Sequence, residues 1–264
     1  MLTLLVTGST DGIGKESARV LSALGHRVLV HGRTEDKAKG VATDLGNGCL
    51  AVWGDLSRLS EVRALAKLVH ESVDSLDVLV NNAGLFSKKR ELTADGFELT
   101  VGVNHFGHFL LTHLLLDLLK KSPAPRIVNT SSGVHAGADL DMNDLQLSHD
   151  WSGYGAYATS KLMNVLFTTE LVERLRGTGI VVHSLHPGVV ATKLLRAGFG
   201  GGGTPVREST GTTVKVAIDP SVGKSTGKYW SNERETKPSQ RSQDPALAKA
   251  LYEQSCKLTG VTPL

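Results

Sequence analysis

The chain has 264 residues, 40% hydrophobic and 21% charged, an ordinary globular mixture sized for one large α/β domain or two small ones. Its formal net charge of +3 is scattered (Arg27, Arg33, Lys37, Lys39, Arg63, Lys67) with no basic run, so a nucleic-acid partner is not expected. Cys49 and Cys256 are its only cysteines, which fits unpaired thiols in a reducing compartment.

The first predicted element, at residues 3–7, is an apolar strand without a basic leader before it, so no signal peptide is expected and the cytoplasm is the expected location. Further strands are predicted at 27–31, 50–53, 78–81, 126–130 and 181–186, with helical patterns such as 13–24, 57–73 and 155–176 between them. Strands alternating with helices imply βαβ units and a mostly parallel sheet covered on both faces. A helix starting near Asn104 is apolar on nearly every side: Phe106, Phe109, Leu110, Leu111, Leu114, Leu115, Leu118. One sheet cannot cover such a helix all round, so either a second copy of the chain or the loop following Ser132 must do so. His108, Thr112, His113 and Asp117 interrupt the same region, which falls short of the ~20 residues of a membrane span. A polar segment at 133–153 reads as an inserted loop, and 198–205 (Gly-Phe-Gly-Gly-Gly-Gly-Thr-Pro) as too glycine-rich for helix or strand. The pattern closes with a helix at 211–217, a strand at 227–230 and a helix at 245–258.

Chemistry-bearing residues collect where strands end. The first strand leads into Thr7-Gly8-Ser9-Thr10-Asp11-Gly12-Ile13-Gly14 and then a helix. Glycines there let the backbone turn tightly and approach a pyrophosphate, which the helix N-terminus attracts. A plain βα turn would have the same look, but Asp55 follows the third strand and Asn81-Asn82-Ala83-Gly84 the fourth, where an open parallel sheet presents its ligand crevice. The two asparagines also have amides able to tie strand ends together. After the second strand comes His31-Gly32-Arg33-Thr34, with no carboxylate until Glu35. A guanidinium at that place can pair with a 2′-phosphate, so NADP(H) is expected over NAD(H).

Tyr157-Ala158-Thr159-Ser160-Lys161 opens a periodic helix, and the interval of four puts phenol and ammonium on one face. A nearby cation stabilises phenolate, which an acid/base tyrosine needs. Ser131 and Ser132 end the fifth strand, where a hydroxyl can donate to a developing alkoxide. Asn104 lies in the apolar helix, and His186-Pro187-Gly188-Val189-Val190-Ala191-Thr192 leaves the sixth strand. His105 and His108 have no acidic residue at metalloprotease spacing, so no metal is expected.

With these motifs in this order, the chain resembles the short-chain dehydrogenase/reductase family over nearly its whole length. Within the family it is most similar to the retinol dehydrogenase-like branch, through Asn104-His105-Phe106-Gly107-His108-Phe109 and the long interval between the serines and Tyr157. The resemblance implies a single Rossmann-like doubly wound domain over 1–264. Its seven parallel strands are ordered 3-2-1-4-5-6-7, with helices on both faces and a mobile substrate-side segment near 191–210. It implies hydride transfer between NADP(H) and a small-molecule carbonyl or alcohol, expected to be apolar, with Tyr157 as acid/base. Lys161 lowers the Tyr157 pKa, Ser132 (the second serine) polarises the carbonyl, and Asn104 holds a relay water. Tyr157 and Lys161 also bind the cofactor, with the turn Gly8, Ser9, Thr10, Gly12, Ile13 and Gly14, then Arg33, Asp55 and Leu56. Asn81, Ala83 and Gly84 complete the set with Pro187, Gly188, Val190 and Thr192. Relatives dimerise through the Asn104 and Tyr157 helices, so a homodimer or homotetramer is implied. The alternative function is a sensor in which NADP(H) occupancy regulates a partner. Loss of Tyr157 or Lys161 would favour it, and both are present.

Overall fold

The computed structural model describes residues 1–264. Its strands are β1 (Thr3–Val6), β2 (Arg27–Gly32), β3 (Leu50–Trp53), β4 (Val78–Asn81), β5 (Arg126–Thr130), β6 (Val181–His186), β7 (Tyr229–Ser231) and β8 (Arg234–Thr236). The central strands are apolar at consecutive positions because each serves two cores. Leu4, Val6, Val28, Val30, Val78 and Val80 face one core, while Leu5, Leu29 and Leu79 between them face the other. The sheet order is β3-β2-β1-β4-β5-β6-β7-β8, parallel as far as β7, so the order reverses between β1 and β4.

The eighth strand was not expected. It pairs antiparallel with β7 through a turn whose central residues, Asn232 and Glu233, both have positive φ. Arg234, Glu235 and Thr236 are all exposed, so this strand lacks the apolar alternation that reveals strands in a sequence.

The helices are α1 (Gly12–Ala23), α2 (Glu35–Leu45), α3 (Leu59–Ser72), α4 (Leu99–Val101), α5 (His108–Leu114), α6 (Leu116–Lys120), α7 (Gly153–Arg174), α8 (Lys193–Phe199), α9 (Gly211–Ile218) and α10 (Pro245–Thr259). Between α4 and α5 a wide π-helical turn, Gly102–Gly107, carries Asn104. One core packs α1, α2 and α9 on the sheet; the other packs α3, α5, α6 and α7. Local signals set the ends. Ser152 Oγ accepts from Gly155 N–H at the start of α7. Asp244 caps α10 ahead of Pro245, and Gly260 ends it at positive φ. No helix is long and apolar enough to cross a membrane.

The cover expected over the Asn104 helix comes from this chain itself. Tyr252 on α10 packs against Phe109 at 5.4 Å between ring centroids, and its hydroxyl meets His113 Nε2 at 2.9 Å. Leu140 and Leu145, from the loop following Ser132, join Phe106, Leu162 and Leu251 in a third apolar cluster. Phe106, Phe109, Leu110, Leu111, Leu115 and Leu118 are therefore buried, and Leu114 is half-buried. The unpartnered apolar face that argued for a second copy does not exist. The segment at 198–205 differs too: α8 runs through Gly198 and Phe199, and Gly200 at φ 81° supplies its left-handed end.

Candidate active site

Strand β1 delivers the glycine turn to the point where the strand order reverses. Gly8 has φ 66°, and a Cβ on Gly14 would collide with the Gly8 carbonyl and the Asn82 amide, so the turn and α1 close only on glycine. Two buried histidines brace this turn, and neither was singled out for that role in the sequence. His31 Nδ1 lies 3.0 Å from Gly8 N and its Nε2 3.0 Å from Gly54 O. An amide can only donate and a carbonyl only accept, so His31 is the neutral Nε2–H tautomer. Burial pushes its pKa down to about 4, in keeping with that form. His108 Nδ1 must likewise donate to Asn104 O (3.1 Å), which leaves Nε2 to accept from Thr7 Oγ1 (2.8 Å). Thr7 Oγ1 in turn accepts from Asn82 N–H and Ala83 N–H, joining β1 to β4.

The asparagine pair divides its work. Asn82 Nδ2 donates to Thr7 O. Asn81 is 2% exposed and donates to Asn129 Oδ1 and Thr112 Oγ1, so its side chain braces the sheet.

At the far end of the cleft, Arg33 is exposed and in no ion pair. It borders a polar cavity of about 340 Å³ with Thr34, Lys37, Asp55, Arg58 and Glu61. Both acids are engaged. Asp55 Oδ1 accepts from Ser57 N–H, and Glu61 Oε2 accepts from Asp55 N–H while Oε1 lies 3.5 Å from Arg58 Nε. Lys37 read in the sequence as scattered surface charge, and Arg58, 25 residues beyond Arg33, was not singled out. Leu56 is buried behind this wall, against the Asn104 turn at Gly107. A larger groove of about 540 Å³ runs along β3, at the sheet edge and away from the reversal point.

The residues expected to carry the reaction come together where β4, β5 and α7 meet. Lys161 Nζ donates to Thr130 O at 3.1 Å, and burial lowers its pKa to about 8. Tyr157 is 8% exposed, and burial pushes its phenol up to about 12, with the neighbouring Ser132 hydroxyl pulling the other way. The loss of water costs phenolate more than the Ser132 hydroxyl returns. Ser131 is buried and donates to Lys161 O, leaving Ser132 as the serine that faces the phenol. Asn104 is held in the site through both its side chain and its main-chain carbonyl. Its Oδ1 accepts from Leu85 N–H, Nδ2 donates to Leu85 O and Ser160 Oγ, and its main-chain carbonyl accepts from His108. The Asn104 side chain thus pins the strand-end loop to α7.

The substrate side is aromatic. Phe199, at the end of α8, lies 5.8 Å from Tyr157 and 5.7 Å from Phe86 between ring centroids. Phe86 also lies 6.0 Å from Tyr157, in a slot between two glycines: a Cβ on Gly153 or on Gly198 would press into its ring. Leu194 and Leu195 are half-buried beside it, whereas Trp151 donates Nε1–H to the buried Glu98 and anchors the inserted loop. After β6, Pro187 and Gly188 turn the chain with Gly188 at φ 98°. Val190 is buried, and Thr192 caps α8. His105 and His108 point into the core, His105 meeting Ser255 Oγ.

These residues fit a nicotinamide dinucleotide. Gly84 is exposed on the cleft floor, with Asn104 Oδ1 and Lys161 Nζ 3.4 and 3.5 Å from where a Cβ would stand, so any side chain would crowd both. The glycine turn and the three cations of the far cavity supply amides and charge suited to phosphate groups.

The short chain dehydrogenase family model matches residues 2–199. Human (Homo sapiens) retinol dehydrogenase 12 is 39% identical over 272 residues, covering 98% of this chain and 86% of that protein. Among solved structures, an uncharacterised protein from Mycobacterium Paratuberculosis superposes with TM-score 0.85 at 31% identity, covering 100% of this chain and 95% of that one. A short chain dehydrogenase from Escherichia coli CFT073, complexed with NADPH, gives TM-score 0.72 at 26% identity over 87% of this chain and 95% of that one.

Proposed function

This chain belongs to the short-chain dehydrogenase family, and we propose that it interconverts an apolar carbonyl compound and its alcohol using NADP(H), with Tyr157 as the acid/base. The supporting observation is that the Ser132 hydroxyl meets the Tyr157 phenol, that Lys161 Nζ lies 5.5 Å from the Tyr157 ring centroid, and that the same ammonium borders the exposed Gly84 floor. A bound dinucleotide supplies the hydride. The chain's own groups do the rest. Tyr157 donates its proton to the carbonyl oxygen, Ser132 directs a hydrogen bond to the same oxygen, and Lys161 offsets the charge left on the phenolate. A phenol raised by burial is protonated near neutral pH, the form that donates when a carbonyl is reduced.

The NADP(H) preference is supported by Arg33, which has no carboxylate partner, and by Lys37 and Arg58 on the same cavity. A charge-assisted contact is worth about 1.5–3 kcal/mol. NADPH is therefore expected to bind at least about tenfold tighter than NADH, and Arg33→Ala to remove most of that difference while sparing NADH. Equilibrium titration of both cofactors, then turnover with a panel of apolar aldehydes and ketones that includes retinal, tests the reading. Retinal belongs in the panel because the relative named above is a retinol dehydrogenase. Equal affinities would overturn the NADP assignment. Cofactor binding without turnover across the panel would favour the sensor.

A further inference from the structure

One feature of the glycine turn conflicts with its proposed use: a carboxylate, Asp11, stands where a dianionic pyrophosphate would arrive. Its Oδ1 accepts from Gly12 N–H, so Asp11 already holds an amide at the start of α1. Its Oδ2 holds Lys193 Nζ at 2.7 Å. Lys193 begins α8 on the substrate side, and the adjacent Thr192 methyl lies 3.5 Å from where a Cβ on Gly12 would stand. The Asp11–Lys193 pair therefore bridges the mouth of the cleft, between segments 182 residues apart in the chain. At the other end of the same short helix, Phe199 lies against Tyr157 and Phe86.

Resting on the cofactor reading above, we infer that Lys193 is a pyrophosphate ligand that Asp11 holds in reserve, and that it couples dinucleotide binding to the position of α8 over Tyr157. Asp11 neutralises Lys193 and keeps α8 tethered to the glycine turn. A pyrophosphate at the turn offers the ammonium a stronger anion than one carboxylate, and an ammonium has three protons to share. Lys193 then draws α8 toward the cofactor, and Phe199 moves with it. In this arrangement the two members of one ion pair act oppositely on the cofactor: Lys193 attracts it and Asp11 repels it.

That opposition gives the test. Asp11→Asn keeps the helix cap, since asparagine caps as well as aspartate, and removes the charge. Lys193→Met keeps the stem and removes the ammonium. NADPH titrations are expected to show Asp11→Asn binding about threefold tighter and Lys193→Met about threefold weaker, the size of an exposed single-charge contact. Adenosine 2′-monophosphate has no 5′-phosphate, and its affinity is expected to be the same in all three proteins. Hydrogen exchange is expected to show residues 194–199 protected by NADPH in the unmodified protein and in Asp11→Asn, but not in Lys193→Met. Either variant failing to move in its stated direction overturns the inference while NADPH binding by the unmodified chain preserves the functional reading. Failure of the unmodified chain to bind NADPH or NADH overturns both.

Discussion

Tyr157 shows how a single group is tuned by opposing causes. Water is excluded by Phe86, Phe199 and the start of α7, which raises the phenol to about 12, while Ser132 favours the ionised form. Lys161 is itself desolvated, which lowers its ammonium to about 8 and still leaves it mostly protonated at neutral pH. Tyr157→Phe keeps the ring and removes the proton. Turnover is expected to fall at least about a hundredfold, with NADPH affinity little changed. Steady-state rates alongside a cofactor titration check both halves, and near-normal turnover would remove Tyr157 from the mechanism.

Helix α8 is the element on which the substrate side depends. It is short, has no fully buried residue, and is held by the Thr192 cap, the Lys193 pair and the Phe199 ring. Beyond it, Gly201 and Gly202 follow at positive φ, and Thr204 returns to pair with Val189 and Ala191. The residues near 191–210 are proposed to move as a flap, with Gly200–Gly202 as the hinge, because ordering each glycine costs about 1–2 kcal/mol of backbone entropy with no side chain to offset it. Phe199→Ala removes a ring that is already 36% exposed, so the fold is expected to lose only about 1–2 kcal/mol. It also readmits water to Tyr157. Phenolate becomes easier to form, and the midpoint of alcohol oxidation, the direction that needs phenolate, is expected to shift to lower pH. A pH–rate profile unchanged by the substitution would show that Phe199 does not desolvate the phenol.

On the scale of the whole molecule, α10 and the inserted loop complete a core that a second copy was expected to complete. Tyr252 and Leu251 are 1% exposed in the single chain, and α7 is buried along most of its length. Sedimentation at micromolar concentration is accordingly expected to give a monomer, and a stable dimer would have to use another surface. The buried histidines make the fold sensitive to acid. His31 and His183 are lowered to about 4, and His105 and His108 to about 3, each mainly by burial. An unfolded histidine takes its proton near pH ~6.5, so as pH falls below that value the unfolded chain binds protons the folded one refuses. Stability from neutral burial is full above about 6.5 and is lost as pH falls toward about 4 for His31 and His183 and about 3 for His105 and His108, which denaturant midpoints across that range will register. A flat profile would mean that these rings are hydrated or paired in solution.

The alternation of strands with helices, the glycine turn and the spacing of Tyr157 and Lys161 were legible in the sequence because each depends on local rules: period, turn chemistry and a four-residue interval; the order of the strands in the sheet came only from the family resemblance. Arg33 was legible for the same reason, as the residue that follows a strand. The eighth strand was not, since Arg-Glu-Thr bears no apolar signature and exists only by pairing with β7. Nor was the support of the site. His31 reaches Gly8 across a strand, Asn81 turns into the sheet toward Asn129, Tyr252 covers Phe109, and Lys193 finds Asp11 at the opposite end of the chain. The sequence by itself determined that strands alternate with helices and which polar residues stand at the strand ends. Only the tertiary structure decided which groups are desolvated, which amides are already spent and which charges are paired, because those depend on neighbours that pattern and spacing do not specify.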